Sequence, residues 1–373
     1  MARVLHLSEF TKGGIETHLN EVLGYQSSVH DVYLMVSEQN SSRETLCISP
    51  ERLIVYPYKR KPMHMLKAMS AMARVMKELK PDIVHVHGTF AGLFARGMLL
   101  FRRQRPAIVY CAHGWSFLMD TSPWKKRLYA LAERILECRS DAIIHISRHE
   151  QRMALAYGLS ARKSVVVYNG VSERKPSDVE DPPIETTPSC LNLLYVGRFD
   201  RQKGFDRLLD LFRQHDFPNV KLYLIGDTVL KAQTYDFPDN AVRLGWVDNS
   251  KIDRYMSACD AVIVPSRWEG FGIVAVEALR NGKPVIASRR GALPEIVEHD
   301  VNGYLFDFDD TEQLAAIIRG MDKNRLEEMG RAGRDIFLGK FHADGMNGRI
   351  ESLYRDVLIG RRGRHASAEG KYV

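Results

Sequence analysis

Residues 262–278 bring together residue types that suit a phosphate and a sugar. An apolar start ends at a proline, a turn with Glu269 and two glycines follows, and an apolar-periodic run containing Glu277 then predicts a helix. Glycines let the backbone approach a ligand closely, and the unpaired N–H groups of a new helix favour a phosphate. A carboxylate accepts hydrogen bonds from sugar and ribose hydroxyls instead. The segment therefore predicts a site for a ligand with both parts, and a nucleotide sugar is such a ligand.

Two cations lie in a second glycine-bounded turn, upstream of that segment. Arg198 and Lys203 stand between Gly197 and Gly204, after a predicted strand and before a helical run. Two such cations can converge on a diphosphate and take the place of a metal ion. A solvated loop pair is the alternative interpretation, and the flanking glycines favour a shaped turn over it.

A glycine pair follows the first predicted strand and opens a helix. Gly13 and Gly14 lack the G-x-G-x-x-G spacing, so they are a poor dinucleotide fingerprint. They still permit close approach of a ligand, while a tight turn selected for packing is the alternative.

One histidine of the first half is a candidate to contact substrate. His113 follows a predicted strand, and loops after the carboxyl ends of parallel strands line the ligand crevice of doubly wound sheets. His85 and His87 lie within a strand and are predicted to serve packing and loop bonding.

Runs of strand length alternate with helical patterns in both halves, which predicts an α/β fold with a parallel sheet in each half. The predicted strands cover residues 4–7, 32–36, 53–56, 83–86, 108–111, 142–146 and 165–168, then 191–196, 221–225, 242–244, 261–264 and 284–287. Residues 172–190 are rich in proline, acids and hydroxyl residues, so they predict an exposed linker between two domains.

Composition indicates a globular protein of about two domains at 373 residues. No apolar run approaches the roughly 18 residues of a membrane span, and no signal-peptide segment opens the chain, so we expect a cytoplasmic protein. Five scattered cysteines predict reduced thiols, and the net charge of +7 predicts an anionic partner. The acid pair Asp307 and Asp309 is interpreted as a solvated turn and not as a metal site.

Two basic regions are candidates for contact with an anionic membrane surface. One combines residues 59–61 with Arg102, Arg103 and Arg105. The other, residues 124–136, combines Trp124 and several cations with apolar residues at helical spacing: Leu128, Leu131, Ile135 and Leu136. An amphipathic helix that covers the sheet with these apolar residues is the alternative interpretation. No nucleic-acid motif accompanies the charge.

Taken in order, these elements resemble the retaining family-4 glycosyltransferases of the GT-B fold, the glycosyl transferases group 1. Five elements carry the resemblance over nearly the whole chain: Gly13-Gly14-Ile15-Glu16, the His113 loop, residues 196–204, Glu269-Gly270-Phe271-Gly272 up to Glu277, and Gly291-x-x-Pro294-Glu295. The resemblance implies two Rossmann-like, doubly wound domains facing a central cleft. Residues 1–171 would bind the acceptor, 172–190 would be the linker, 191–341 would bind the nucleotide-sugar donor, and 342–373 would form a helix that packs back on the first domain plus a basic tail.

The resemblance also implies roles for single residues. Arg198 and Lys203 would hold the diphosphate, Glu277 the ribose and Glu269 the donor-sugar hydroxyls, with His113 at the sugar end. The remaining donor-binding positions would be Gly14, Phe271, Gly272, Ile273 and Val274.

The implied reaction moves a sugar from a nucleoside-diphosphate sugar to an acceptor hydroxyl with retention, in cell-surface polysaccharide or lipopolysaccharide synthesis. We expect a UDP-linked hexose or N-acetylhexosamine as donor, a sugar or lipid-linked sugar as acceptor, no metal ion, and a cytoplasmic location with the inner face of the membrane as a candidate. Residues 226–245 give no assignment of the base. The alternatives are a GT-B-fold nucleotide-sugar epimerase and a non-catalytic nucleotide-sugar-binding scaffold.

Overall fold

The computed structural model describes residues 1–41, 43–59, 61–102, 104–173, 184–228 and 235–369. Within them, no helix combines the length and the apolar character that a membrane span requires. The chain divides into two compact units, one made of Met1–Gly170 with Ala343–Val373 and the other of Val171–His342. All five cysteines are free thiols.

The first unit is built on a seven-stranded parallel sheet. Its strands are β1 (Arg3–Ser8), β2 (Asp31–Ser37), β3 (Leu53–Tyr56), β4 (Ile83–His87), β5 (Ala107–Cys111), β6 (Ala142–His145) and β7 (Ser164–Val166). Its first helices are α1 (Gly14–Gln26), α2 (Pro62–Leu79), α3 (Thr89–Met98), α4 (Pro123–Leu136) and α5 (Arg148–Ala156). The strand order is β3-β2-β1-β4-β5-β6-β7, so the chain winds first to one side of β1 and then to the other.

The second unit repeats this architecture with six parallel strands. They are β8 (Leu191–Val196), β9 (Val220–Ile225), β10 (Ala241–Gly245), β11 (Ala261–Val264), β12 (Val285–Ser288) and β13 (Gly303–Phe306). The helices are α6 (Phe205–Gln214), α7 (Ile252–Ala258), α8 (Ile273–Arg280), α9 (Leu293–Ile296), α10 (Thr311–Arg319) and α11 (Lys323–Ile336). The strand order β10-β9-β8-β11-β12-β13 is the doubly wound order of Rossmann folds. The prediction of two Rossmann-like α/β domains is therefore confirmed.

Both sheets reverse their strand order at one point, which is where such sheets bind ligands. The reversal lies between β1 and β4 in the first unit and between β8 and β11 in the second. Ligands of doubly wound sheets bind outside the carboxyl ends of the strands at this point. The loops after β1, β4, β8 and β11 are therefore the parts of the chain from which a site must be built.

The last helix, α12 (Ala343–Glu369), belongs to the first unit although it follows the second in sequence. Tyr354 is buried and its hydroxyl lies 2.7 Å from Nδ1 of His85 in β4. Arg361 donates to the Asp141 carboxylate at 3.0 Å. These two contacts hold α12 on the first unit along several turns.

The end of the predicted linker has one buried residue, which is followed by the exposed residues 185–189. Ile184 is buried, and the carbonyl oxygen of Glu185 accepts from the Asn192 side chain at 3.1 Å. Residues 174–183 of the predicted linker lie outside the described residues.

Helix α4 turns its apolar residues outward, which contradicts the interpretation that they cover the sheet. Leu128, Leu131 and Ile135 are 54%, 51% and 56% exposed, whereas of the predicted apolar set only Leu136 is buried. The buried face includes Glu133, which accepts from the buried Arg96 of α3 at 2.8 Å. A satisfied ion pair thus lets a charged residue occupy the inner face of α4.

Candidate functional site

The central contact of the second unit joins Lys203 to Glu269. Lys203 follows β8 and Glu269 follows β11, and the two strands are neighbours at the reversal point. The Lys203 ammonium donates to a Glu269 carboxylate oxygen at 2.6 Å, and the hydroxyl of Ser266 donates to the same oxygen at 3.1 Å. The Glu269 side chain is 10% exposed, so the pair is shielded but reachable. The structure brings together two residues that the sequence assigned separately to phosphate and sugar.

Arg198 lies in the same turn and is held by two polar residues. Its guanidinium donates to Gln202 at 2.8 Å and lies 3.1 Å from an Asp200 carboxylate oxygen. Asp200 also accepts from the backbone N–H of Lys203 at 2.9 Å, so one carboxylate organises both cations. Neither Asp200 nor Gln202 was predicted; the signal in the sequence is an acid two residues after Arg198, a common turn-forming position.

Gly204 allows the loops after β8 and β11 to meet. Its φ is +69°, and a Cβ there would lie 1.8 Å from the carbonyl oxygen of Pro265. A side chain would therefore push the turn that carries Lys203 away from the loop that carries Glu269. Of the two glycines that flank the predicted turn, Gly204 thus shapes it.

The start of helix α8 supplies backbone donors beside these loops. Its N-cap is Gly272, and the first backbone bond back to Gly272 comes from Ala275 at 2.9 Å. The N–H groups of Ile273 and Val274 precede that bond, as the first donors of any helix do, and they favour an anion. Phe271 is buried and packs on Phe341 at a ring distance of 5.9 Å, so only its backbone can serve a ligand.

Glu277 lies one turn into α8 and is 4% exposed. A buried carboxylate at this depth is expensive unless it accepts hydrogen bonds.

In the first unit, His113 lies after β5 in a backbone conformation that is rare outside glycine. Its φ is +52°, and its Nε2 lies 2.9 Å from Nδ1 of His87. The ring of His18 in α1 stands edge-on to it at 4.6 Å. His87 thus bonds the loop that follows the neighbouring strand, in agreement with the role predicted for it. Gly14 is the first residue of α1, directly after the β1 loop.

Burial keeps this histidine cluster uncharged. Desolvation lowers the pKa of His6 and of His18 to about 4, and it holds the pKa of His85, His87 and His113 well below the usual range. Mutual repulsion among the rings adds to that shift. Neutral imidazoles both donate and accept hydrogen bonds, so the cluster can form directed networks.

Two histidine triads are compact enough to be considered as metal sites: His6 with His85 and His87, and His18 with His87 and His113. However, Nδ1 of His6 and Nε2 of His87 are 2.9 Å apart, a hydrogen-bond distance. Nitrogens on a tetrahedral zinc ion with bonds of 2.0–2.1 Å would be about 3.4 Å apart. Hydrogen bonding accounts for this contact better than a metal does.

The candidate residues thus fall into two groups. Arg198, Lys203, Glu269 and the start of α8 meet at the reversal point of the second sheet, while His113 and Gly14 lie at strand ends of the first. Arg60 and Arg103 of the basic regions, and residues 229–234 of the segment 226–245, lie outside the described residues.

Two family models match the chain. Residues 12–175 match Glycosyltransferase Family 4, and residues 187–335 match Glycosyl transferases group 1. A 41.2 kDa protein in the cps region of Klebsiella pneumoniae is 32% identical over 359 residues, which cover 94% of this chain and 99% of that protein. The D-inositol 3-phosphate glycosyltransferase of Segniliparus rotundus is 33% identical over 75% of this chain and 67% of its own length. A UDP-Gal:alpha-D-GlcNAc-diphosphoundecaprenol alpha-1,3-galactosyltransferase of Escherichia coli is 21% identical, covering 79% of this chain and 81% of its own.

Solved structures share the fold. Sucrose-phosphate synthase from Thermosynechococcus elongatus superposes with a TM-score of 0.83 at 19% identity, covering 96% of this chain and all of that one. HepE of Anabaena, in complex with UDP-glucose, gives 0.78 at 22% identity, covering 95% and 100%. With both family models in sequence order over two Rossmann-like domains, this chain belongs to glycosyltransferase family 4, the glycosyl transferases group 1 of the GT-B fold.

Proposed function

We propose that the protein is a retaining hexosyltransferase that moves a UDP-linked hexose or N-acetylhexosamine to an acceptor hydroxyl. The observation that carries the proposal is the meeting of Lys203, Glu269 and Arg198 beside the start of α8. Cations and helix N–H groups suit a diphosphate, and a carboxylate among them suits sugar hydroxyls. HepE, of the same fold, binds UDP-glucose, which supports a uridine nucleotide as the donor.

The chemical barrier is the departure of the nucleoside diphosphate. The C1–O bond to the phosphate breaks while negative charge grows on the leaving oxygen and the sugar becomes cation-like. Arg198 and Lys203, held in place before reaction, would each stabilise that charge by a few kcal/mol, the usual worth of one preorganised donor, about 3 kcal/mol. No metal ion is needed when two cations serve the diphosphate.

The anomeric configuration at C1 is retained if the acceptor hydroxyl attacks C1 from the same face of the sugar as the departing phosphate. The acceptor oxygen then bonds to C1, and its proton passes to an oxygen of the departing phosphate. Glu269 as a covalent nucleophile is disfavoured because its carboxylate is already bound by Lys203 and Ser266. It would instead accept hydrogen bonds from the donor sugar and fix the Lys203 ammonium.

The second unit would bind the donor and the first the acceptor. The Escherichia coli relative is named for a diphosphoundecaprenol-linked acceptor, and the Klebsiella relative for the cps region. The first name supports a lipid-linked sugar as acceptor, and the second supports a role in cell-surface polysaccharide synthesis. Lipopolysaccharide is the second candidate product.

Helix α4 would place the enzyme at the inner, anionic face of the membrane. Four outward residues at spacings of four, three and four form one apolar stripe: Trp124, Leu128, Leu131 and Ile135. Cations accompany the stripe at Lys125, Lys126, Arg127 and Arg134. An apolar stripe with basic neighbours is the pattern of helices that lie in a membrane interface. The enzyme would then bind a lipid-linked acceptor at the membrane surface that contains it.

A panel of nucleotide sugars tests the proposal most directly. We expect one UDP-sugar to raise the melting temperature of the full-length protein and to be consumed slowly by hydrolysis or rapidly with acceptor. NMR of the product should show the anomeric configuration of the donor. Thermal protection without turnover under any acceptor condition would indicate a scaffold, and conversion to an epimeric nucleotide sugar would indicate an epimerase; either result overturns the proposal.

A further inference from the structure

A line of hydrogen bonds runs through the interior of the first unit and ends at His113. Oε1 of Gln26 lies 2.9 Å from Nε2 of His6, Nδ1 of His6 lies 2.9 Å from Nε2 of His87, and Nδ1 of His87 lies 2.9 Å from Nε2 of His113. We call these four residues the imidazole chain. They come from α1, β1, β4 and the loop after β5, and the first three are fully or almost fully buried.

The chain has a direction because a neutral imidazole has one N–H and one lone pair. The Gln26 carbonyl oxygen can only accept, so Nε2 of His6 carries the proton and Nδ1 of His6 is the acceptor. That acceptor requires the proton of His87 on Nε2, which leaves Nδ1 of His87 as the acceptor for Nε2–H of His113. Each link thus fixes the tautomer of the next, and the last lone pair is on Nδ1 of His113.

The surroundings of the imidazole chain keep it neutral and ordered. His18 from α1 stands against His113, and His85 from β4 lies near His87 with ring centroids 4.1 Å apart. Tyr354 from α12 closes the far side through its bond to His85. Burial lowers the pKa of all five rings, so no ring carries a charge that would reverse the order near neutral pH.

Of these residues, only His113 is half-buried and lies in a loop at the ligand-binding edge of the sheet. We propose that Gln26, His6 and His87 are positioning residues that hold His113 as the Nε2–H tautomer and so present its Nδ1 as a hydrogen-bond acceptor for a hydroxyl of a bound sugar. The part that concerns the sugar rests on the proposed function, whereas the tautomer does not. The tautomer of His113 is thus set by the side-chain amide of Gln26, which is three hydrogen bonds away and does not contact the substrate.

The tautomer can be measured by NMR on the full-length protein with ¹⁵N-labelled histidine. We expect His113 to show a protonated Nε2 and a bare Nδ1. In Gln26→Met the directing acceptor is lost, and we expect a mixture of tautomers at His113. Gln26→Glu retains an acceptor at the same place and should restore the single tautomer. His145→Gln, at a buried histidine of β6 outside this cluster, should leave it unchanged.

Activity supplies a second readout. Gln26→Met should lower kcat/KM for the nucleotide sugar about tenfold, the worth of roughly one hydrogen bond, with Gln26→Glu restoring most of it. The affinity for the nucleoside diphosphate alone should stay within twofold, because it carries no sugar. A bare Nε2 on His113 in the unmodified protein overturns the proposal even if every variant fails to fold. If His113 is the Nε2–H tautomer but no nucleotide sugar is a substrate, the proposed function is wrong, whereas the proposed role of the imidazole chain in fixing the tautomer is supported.

Discussion

Gly291 and Glu269 touch through their backbones. A Cβ on Gly291 would lie 1.9 Å from the carbonyl oxygen of Glu269, and the φ of Gly291 is +59°. The N–H of Ala292 donates to that same oxygen at 3.2 Å. The loop after β12 is therefore the support on which the Glu269 loop rests.

Gly291→Ala should displace that loop and lower kcat/KM at least tenfold, with a loss of unfolding free energy of about 1–3 kcal/mol. Gly245→Ala is the matched control, because Gly245 has a φ of +74° but a Cβ added there would meet nothing within 4 Å. Gly245→Ala should therefore lose only the unfolding free energy that a positive φ costs an alanine, without a loss of activity. Equal losses of activity in the two variants would refute a role for the contact with Glu269.

Lys203→Ala should lower turnover at least tenfold with the true donor and acceptor. The loss removes a cation from the departing diphosphate and leaves the shielded Glu269 carboxylate without its partner. Steady-state kinetics measure the effect. Lys221→Ala is the control, because Lys221 lies near the start of β9, at the opposite edge of the sheet from the loops after β8 and β11, and makes an exposed ion pair with Glu185. Unchanged turnover in Lys203→Ala would show that Lys203 does not bind the diphosphate.

Glu277→Gln should weaken binding of the free nucleoside diphosphate about tenfold in calorimetry. A carboxylate accepts two ribose hydroxyls, and the amide can accept only through its oxygen. The difference between the two proteins should vanish when the ligand is a 2′,3′-dideoxynucleoside diphosphate. The exposed Glu312→Gln serves as control. If the dideoxy ligand shows the same tenfold difference, Glu277 does not bind the ribose.

Binding to vesicles that contain anionic lipid should depend on the outward stripe of α4. Co-sedimentation at low salt should be strong, and it should fall at high salt because the cations of α4 are screened. Ile135→Glu should abolish it. Ile359→Glu, at a 67% exposed isoleucine of α12, places the same change elsewhere on the first unit and should bind normally. Absence of sedimentation at low salt would reject the membrane contact.

Stability of the first unit should fall as the pH drops from about 6.5 towards 4. The unfolded chain protonates its histidines near 6.5, whereas burial holds the pKa of His6, His18 and His145 at about 4. The unfolded state therefore binds more protons in this window, and each such group contributes a slope of about 1.4 kcal/mol per pH unit that favours folding as pH rises. Denaturation across the window should show a shallower slope in His18→Gln; an unchanged slope would mean that His18 does not titrate in this way.

The sequence predicted the sheets well because their strands are short, apolar and bounded by turns. The bounds of β3, β8 and β11 agree with the predicted ones to the residue. Strand β13 was not predicted, because Gly303–Phe306 begins with glycine, which is unfavourable in strands. The turn with Arg198 and Lys203 was found because glycines mark both of its ends.

Other features depend on contacts that no local pattern encodes. The outward face of α4 was ambiguous because Ala130, Glu133 and Leu136 form a second stripe. The distant Arg96 and Tyr110, which both donate to Glu133, make that stripe fit for burial. The imidazole chain joins residues 20, 81 and 26 positions apart. A signal was present in β4, where His85 and His87 share one face, but nothing in the sequence indicates that His6 and Gln26 complete it.

The membership of α12 in the first unit bears on how the protein is made. During synthesis the chain leaves the ribosome from its N-terminus, so the whole second unit emerges before Tyr354 can reach His85. Domains usually fold as they emerge. Here the earlier unit must wait, with a flank of its histidine-rich interior uncovered, until α12 is translated. We therefore expect the nascent first unit, before α12 is translated, to expose the most interior surface to chaperones.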